Sequence, residues 1–344
     1  MSTFSLIILT LYFFTFSAVF VARFLNIKIG NVLAAATALT AFGAAAFRPW
    51  HFPDVDTYKL MYEFAASGDF NNPAYWASYG ESGFKILSYS ISLLGLDYSS
   101  FLMIMAAFSY LLLLYISRIS SVPFAYLWFT YFSFFFITRD LGVIRMAIAS
   151  HLIVIFFIHR KFIWQAVSIT FATLAFQYFS LIAVFAKLFS RVKIDWFSIS
   201  LLFLISFVTS NFISFENTLI PEMQRNAYEG TIYSEAGGNS IIVPLVRNLF
   251  FAFLIYFLMR NQTKFQHYKL LIWAAFLSAA IYIMTSGILI VAQRFSAYFG
   301  AAVPLALAFL MQRRSIRNHQ FFLVILATLL NFVLLFYFNS WVWQ

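Results

Sequence analysis

The chain has 344 residues, 63% of them apolar and only 10% charged, where a soluble domain has about 45–50% and about 25%. That balance excludes an ordinary soluble globular protein and a disordered chain, and the absence of cysteine excludes a disulfide scaffold and thiolate metal sites. The net charge of +10 would suit nucleic acid, but the placement of the charges along the chain points elsewhere.

Uncharged runs of about 17–20 residues recur, enough to cross a hydrocarbon core of about 30 Å as helices, without the alternation of barrel strands. In chain order, spans are expected over Phe4–Ala22, Ile29–Phe47, Ser99–Ser117, Val122–Thr138, Gly142–Ile158, Phe162–Phe176, Tyr178–Ser190, Trp196–Phe212, Val243–Met259, Leu270–Ile290, Phe295–Met311 and Phe321–Phe338. The first lacks a basic leader and is expected to be a retained helix. Phe162–Ser190 is too long for one upright span and too short for two full ones, so two short or tilted helices should meet at Gln177 and Tyr178. Ser82–Leu96 is short and two-sided: Phe84, Leu87, Ile91 and Leu94 follow helical spacing on one side, while Lys85, Ser88 and Ser92 line another. It is expected to lie at the interface or dip into the membrane rather than cross it. The fold class is therefore all-α: a polytopic integral membrane protein, one domain over 1–344, with about 12 transmembrane helices. Two larger outward-facing loops cover 48–98 and 213–242.

Charge segregation supports this layout. With Ser82–Leu96 not crossing, one set of loops holds 14 of the 22 basic residues and, of the 12 acids, only Asp195. That side is expected to be cytoplasmic, and both termini should lie on the other. Reporter fusions after Gly68 and Gly230 are expected to report outside, and fusions after Gln262 and Asn318 inside; an inside signal at Gly230 would break the span assignment from Trp196 onward. The inner loops are short and basic, without a Walker-type phosphate loop, so a reaction driven by cytosolic ATP or a nucleotide sugar is not expected. The chemistry should sit on the outer face.

Eight basic residues remain outside: Arg48, Lys59, Lys85, Arg139, Arg145, Arg225, Arg247 and Arg294. Arg139, Arg145, Arg247 and Arg294 lie at or just inside the outer ends of spans, where an arginine is costly unless paired or hydrated. The planar guanidinium matches phosphate oxygens two at a time, so these four are candidates for a lipid-linked diphosphate. The alternative is that they reach the headgroups or pair with Asp140 and Glu216. In the first loop, Asp54 and Asp56 are candidates for a general base, sugar-hydroxyl acceptors or cation ligands, or are helix caps in a solvated turn. Glu81 is either a fourth acid–base candidate beside His51 or a cap on the helix that follows it. Aromatics such as Tyr58, Tyr75, Trp76 and Tyr228 suit sugar stacking and equally suit a membrane interface. His51 is the only outer histidine, and no histidine pair has metal spacing, so neither metal nor cofactor is expected. His151, within a span, is most simply a polar helix–helix contact.

Four segments together resemble the EpsG family of Wzy-type O-antigen and exopolysaccharide polymerases. They are Asp54-Val-Asp-Thr-Tyr58 followed by Tyr62 and Glu81-Ser-Gly-Phe84; Ile144-Arg145-Met-Ala-Ile-Ala149; Gln177-Tyr178-Phe179-Ser180-Leu181-Ile182; and Gln293-Arg294-Phe295-Ser296 with Tyr298-Phe299. The family's usual histidine in the third element stands here as Gln177 or Tyr178. Either Gln177 replaces it as a hydrogen-bonding link between short helices, or another group serves as base. The resemblance implies a glycosyltransferase-like enzyme in a bacterial cytoplasmic membrane. It would take a growing glycan from undecaprenyl diphosphate and join it to a new lipid-linked repeat unit. It implies sugar contacts from Tyr58, Gln177, Tyr178 and Tyr298, membrane lipids and a chain-length regulator protein as partners, and no nucleic acid. The rival classes are a lipid-linked oligosaccharide flippase, which would favour internal repeats of spans that are not seen here, and a membrane acyltransferase, for which His151 alone is available.

Overall fold

The computed structural model describes residues 2–49, 52, 55–69, 71, 81–213, 238–260, 266–313 and 318–339. Among them every regular element is helical. Six helices are long and apolar enough to cross a membrane: Thr3–Leu25, Ile27–Ala46, Tyr98–Ser120, Ile242–Met259, Val291–Gln312 and Asn318–Phe338. Shorter apolar helices stand between them, Ile144–Ile158, Phe162–Phe176, Tyr178–Phe189, Trp196–Ser210 and Tyr268–Met284. The protein is thus a multi-pass helical membrane protein. The second large loop, with Glu216, Tyr228 and Tyr233, lies mostly outside the described residues.

The chain packs as two compact units, Met1–Tyr178 with Leu307–Gln344, and Phe179–Ala306. In the first unit α1 (Thr3–Phe20) widens into a π-helical turn before α2 (Ile27–Ala46), followed by α3 (Val55–Ala66), α4 (Ser82–Ser92), α5 (Tyr98–Ser120) and α6 (Phe124–Tyr131). The stretch expected as a regular span from Val122 to Thr138 instead passes from α6 into π-helical turns over Phe132–Asp140. Each wider turn takes an extra residue and shifts the helical register, and Arg139 and Asp140 at its end are both buried. Next come α7 (Ile144–Ile158) and α8 (Phe162–Phe171), which ends in a π-helical turn over Ala172–Phe176. Gln177 then adopts extended backbone, φ −157°, before the tight turns of Tyr178–Ala183. The two short helices meeting at Gln177 and Tyr178 are borne out.

The second unit contains α9 (Val184–Phe189), α10 (Trp196–Ser210), α11 (Gly238–Met259), α12 (Gln266–Met284) and α13 (Leu289–Gly300). Asp195 caps α10, accepting the Ser198 N–H at 2.9 Å. Trp273 Nε1 donates to the Val192 carbonyl at 3.1 Å, and Ser278 Oγ to the Ser296 carbonyl at 2.8 Å. The expected span Leu270–Ile290 ends early, at Met284, because a turn through Ser286 and Gly287 follows and the next helix starts at Leu289. The chain returns to the first unit through α14 (Ala302–Gln312) and closes with α15 (Asn318–Phe338).

In lipid, helices are joined by packing and by polar pairs that have no better partner. In the first unit Trp128 Nε1 donates to Thr15 Oγ1 at 3.0 Å, bridging α6 to α1, and Asn331 on α15 donates to the Ser133 carbonyl at 2.7 Å. Segments placed on one side by charge meet at one end of this unit: Arg23 donates to the Arg313 carbonyl at 3.2 Å, and Gln312 to that of Ser121 at 2.9 Å. Arg48, beyond the far end of α2, donates to the Asp140 carbonyl at 2.8 Å.

The helix α4 has 11 residues, about 16 Å at 1.5 Å per residue, too short to cross. Its buried side takes residues from both of the sides read from the sequence. Phe84, Lys85, Ser88 and Ile91 are buried, while Ile86 and the following Leu93 and Leu94 are exposed. Lys85 and Ser88 thus turn inward together with Phe84 and Ile91.

Candidate functional site

Six formally charged side chains are buried among the described residues: Arg48, Glu81, Lys85, Arg139, Asp140 and Arg145. All belong to the first unit, and four are cations against two carboxylates. Each is delivered by a helix end. Arg48 follows α2; Glu81 and Lys85 open α4; Arg139 and Asp140 close the π-helical turns after α6; Arg145 lies in the first turn of α7.

Arg145 donates through Nη1 to Glu81 Oε2, a buried ion pair 64 residues apart in sequence. Its guanidinium carbon lies 5.4 Å from the centre of the Tyr58 ring and 5.2 Å from that of Phe84. Arg48 approaches the same Tyr58 ring at 5.9 Å. Two cations thus share one aromatic platform. Arg48 Nε and Nη2 are buried and have no hydrogen-bond partner among the described residues. Burial pushes the Lys85 ammonium down from its ordinary range, with the Glu81 carboxylate opposing the shift.

Arg139 lies 3.7 Å over the Phe135 ring and donates to Ser150 Oγ. The Asp140 carboxylate accepts from Ser109 Oγ at 2.7 Å and from the Tyr131 hydroxyl. Ser109 Oγ is also 3.0 Å from His151 Nε2. Since the single Ser109 proton goes to Asp140, His151 donates to Ser109. His151 therefore makes the helix–helix contact expected of it, between α7 and α5.

A model of the EpsG family matches residues 31–343. The chain belongs to the EpsG family. Neither a curated protein nor a solved structure matches it.

In this EpsG-family chain the fold gathers much of what the motifs had separated. Tyr58, Glu81 and Arg145 meet directly, and the Ser82 N–H donates to the Tyr178 hydroxyl at 2.9 Å. Glu81 was expected either as an acid–base group or as a helix cap. Its side chain makes no capping bond to α4; it reaches across to Arg145, because a buried guanidinium offers a stronger partner than helix N–H groups. Arg139 does not reach for headgroups: its side chain is buried. Tyr58 is 1% exposed beneath the two guanidinium groups, so its ring face is covered, whereas Tyr178 is 46% exposed. Gln177 is buried. Asp56 is exposed in the first turn of α3, where a carboxylate complements the helix N-terminus. Asp54 and His51 lie outside the described residues. Arg247 on α11 and Arg294 on α13 are half-buried, and Tyr298 is fully buried, all in the second unit. The motifs had not singled out Arg48, Lys85 or Asp140. The available signal was an arginine directly after an apolar helix, on the side poor in bases.

Proposed function

We propose that the protein is a polysaccharide polymerase that joins undecaprenyl-diphosphate-linked repeat units at the outer face of a bacterial cytoplasmic membrane. Membership of the EpsG family, associated with Wzy-type polymerases, supports the enzyme class. The observation that supports the substrate is the gathering of buried cations in the first unit, where Arg48 and Arg145 lie over the same Tyr58 ring. Two guanidinium groups held side by side match the two ionised phosphates of a lipid–diphosphate–sugar. Arg48 and Arg145 offer their planar donor edges to those oxygens. As the bond from the anomeric carbon to the phosphate breaks, negative charge gathers on the departing undecaprenyl diphosphate, and fixed guanidinium groups stabilise it. The donor carries its own activating group, which agrees with the absence of a nucleotide-binding sequence pattern. Tyr178, at the exposed edge, is proposed to contact sugar. Arg294 and Arg247 are proposed as further phosphate donors in their own unit.

Deletion of the gene in its host tests the class. The expected result is loss of long glycan with single lipid-linked repeat units still made and exported. Loss of all surface glycan, with repeat units trapped on the cytoplasmic side, would instead identify a flippase.

A further inference from the structure

Glu81 accepts from Nη1 of Arg145, a donor that a bound phosphate would take up. We propose that the incoming lipid-linked diphosphate displaces Glu81 from Arg145, and that the released carboxylate is the general base for the acceptor sugar hydroxyl. This rests on the reading of the first unit as the diphosphate site.

Of the two buried carboxylates, Asp140 is held by two hydroxyl donors, whereas the hydrogen bonds of the Glu81 side chain go to Arg145 alone among the described residues. A diphosphate brings two charges and several oxygens to the same arginine and competes well against one carboxylate. Two effects then act on Glu81 in the same direction. It loses the cation that stabilised its charged form, and it gains an anionic neighbour; both make a carboxylate a stronger base. Lys85, one turn along and buried on the same face of α4, keeps the freed side chain within the site and offsets part of that gain in basicity.

The position suits an acceptor. Glu81 adjoins Ser82, whose N–H and Oγ lie 2.9 and 3.0 Å from the hydroxyl of the half-exposed Tyr178. The carboxylate therefore sits where the buried cations meet accessible surface. In the reaction the acceptor hydroxyl gives its proton to Glu81, and its oxygen bonds to the anomeric carbon of the growing chain. The carbon–oxygen bond to phosphate breaks, and its electron pair leaves with undecaprenyl diphosphate. When that product departs, Arg145 recovers Glu81 and the proton passes to water. The ion pair thus keeps the base unavailable until a donor is bound, which protects the donor from attack by water.

The test is Glu81→Gln in the purified protein in lipid nanodiscs. The amide still accepts a hydrogen bond from Arg145 and cannot take a proton. Expected are a fall in repeat-unit joining of about 100-fold or more, undecaprenyl diphosphate binding as tight as in the wild type or tighter, and a lowered thermal midpoint that added undecaprenyl diphosphate restores, because Arg145 loses its counter-charge. Joining within a few-fold of the wild type, or binding lost together with turnover in a folded protein, overturns the proposal. If Glu81→Gln does not fold, Glu81→Ala with added formate replaces it: recovery of joining supports a missing base, and no recovery overturns it. The underlying site fails separately, through undiminished undecaprenyl diphosphate binding in Arg48→Met and Arg145→Ala, and the proposal then falls with it.

Discussion

Arg48→Met is expected to abolish chain extension while leaving the stability of the protein close to that of the wild type. Among the described residues the side chain donates to the Asp140 carbonyl, lies close to the Tyr98 hydroxyl and the Asp140 carboxylate, and is at the outer limit of a cation–π contact with Tyr58. A hydrogen bond to a charged group contributes about 1.5–3 kcal/mol. Against it stand two buried guanidinium nitrogens without a partner among the described residues, each costing about 1–3 kcal/mol or more because the group is charged. These terms roughly offset one another, and methionine fills the volume left by the stem. Arg145→Ala should behave differently. It leaves Glu81 buried without its partner, so a loss of about 3–5 kcal/mol in stability should accompany the loss of activity. Thermal unfolding in detergent and glycan length in the host separate the two. If Arg48→Met lowers the midpoint as much as Arg145→Ala does, Arg48 is a structural cation rather than a ligand for phosphate.

That contrast also shows what the sequence could and could not reveal. The helical membrane architecture was legible because charge-free runs and segregated loops obey the energetics of the bilayer directly. The break at Gln177 was legible because the run from Phe162 has the wrong length for either one span or two. The facing of α4 was not. Its two-sided pattern identified the helix, but amphipathicity does not say which side meets protein. In this fold Lys85 and Ser88 turn inward together with Phe84 and Ile91. The partner of Glu81 was equally hidden. A carboxylate just before a helix is locally indistinguishable from a cap, and only the long-range approach of α7 to α4 supplies Arg145. Arg48 was counted among the outward bases, and its place directly after an apolar helix was the one local sign that set it apart from an arginine in solvent. Its burial depends on the π-helical turns after α6, which bring the Asp140 carbonyl to it.

Gly83→Ala is expected to impair chain extension by about tenfold or more, far beyond its effect on folding. A methyl group built at Gly83 would lie 2.7 Å from Ala175 Cα and 2.9 Å from the Leu174 carbonyl oxygen. Both are backbone atoms, which cannot swing aside as a side chain would. To accept even an alanine, α4 must lift away from the π-helical turn at Ala172–Phe176. Overpacking of this kind costs about 1–3 kcal/mol. The functional cost should be larger, because the same displacement moves Glu81 two residues before it and pulls Ser82 from the Tyr178 hydroxyl. Misplacement of a reacting group by about 1 Å can cost on the order of 100-fold in rate. Gly43→Ala, inside α2, is the control for glycine as such. A methyl group there meets nothing within 4 Å, so it should stabilise the helix by about 0.5–1 kcal/mol and leave glycan length unchanged. Measured together, the two variants separate close approach from helix propensity. Wild-type glycan length with Gly83→Ala would mean that α4 does not rest on that turn, and that the position of Glu81 is set by its ion pair with Arg145 alone.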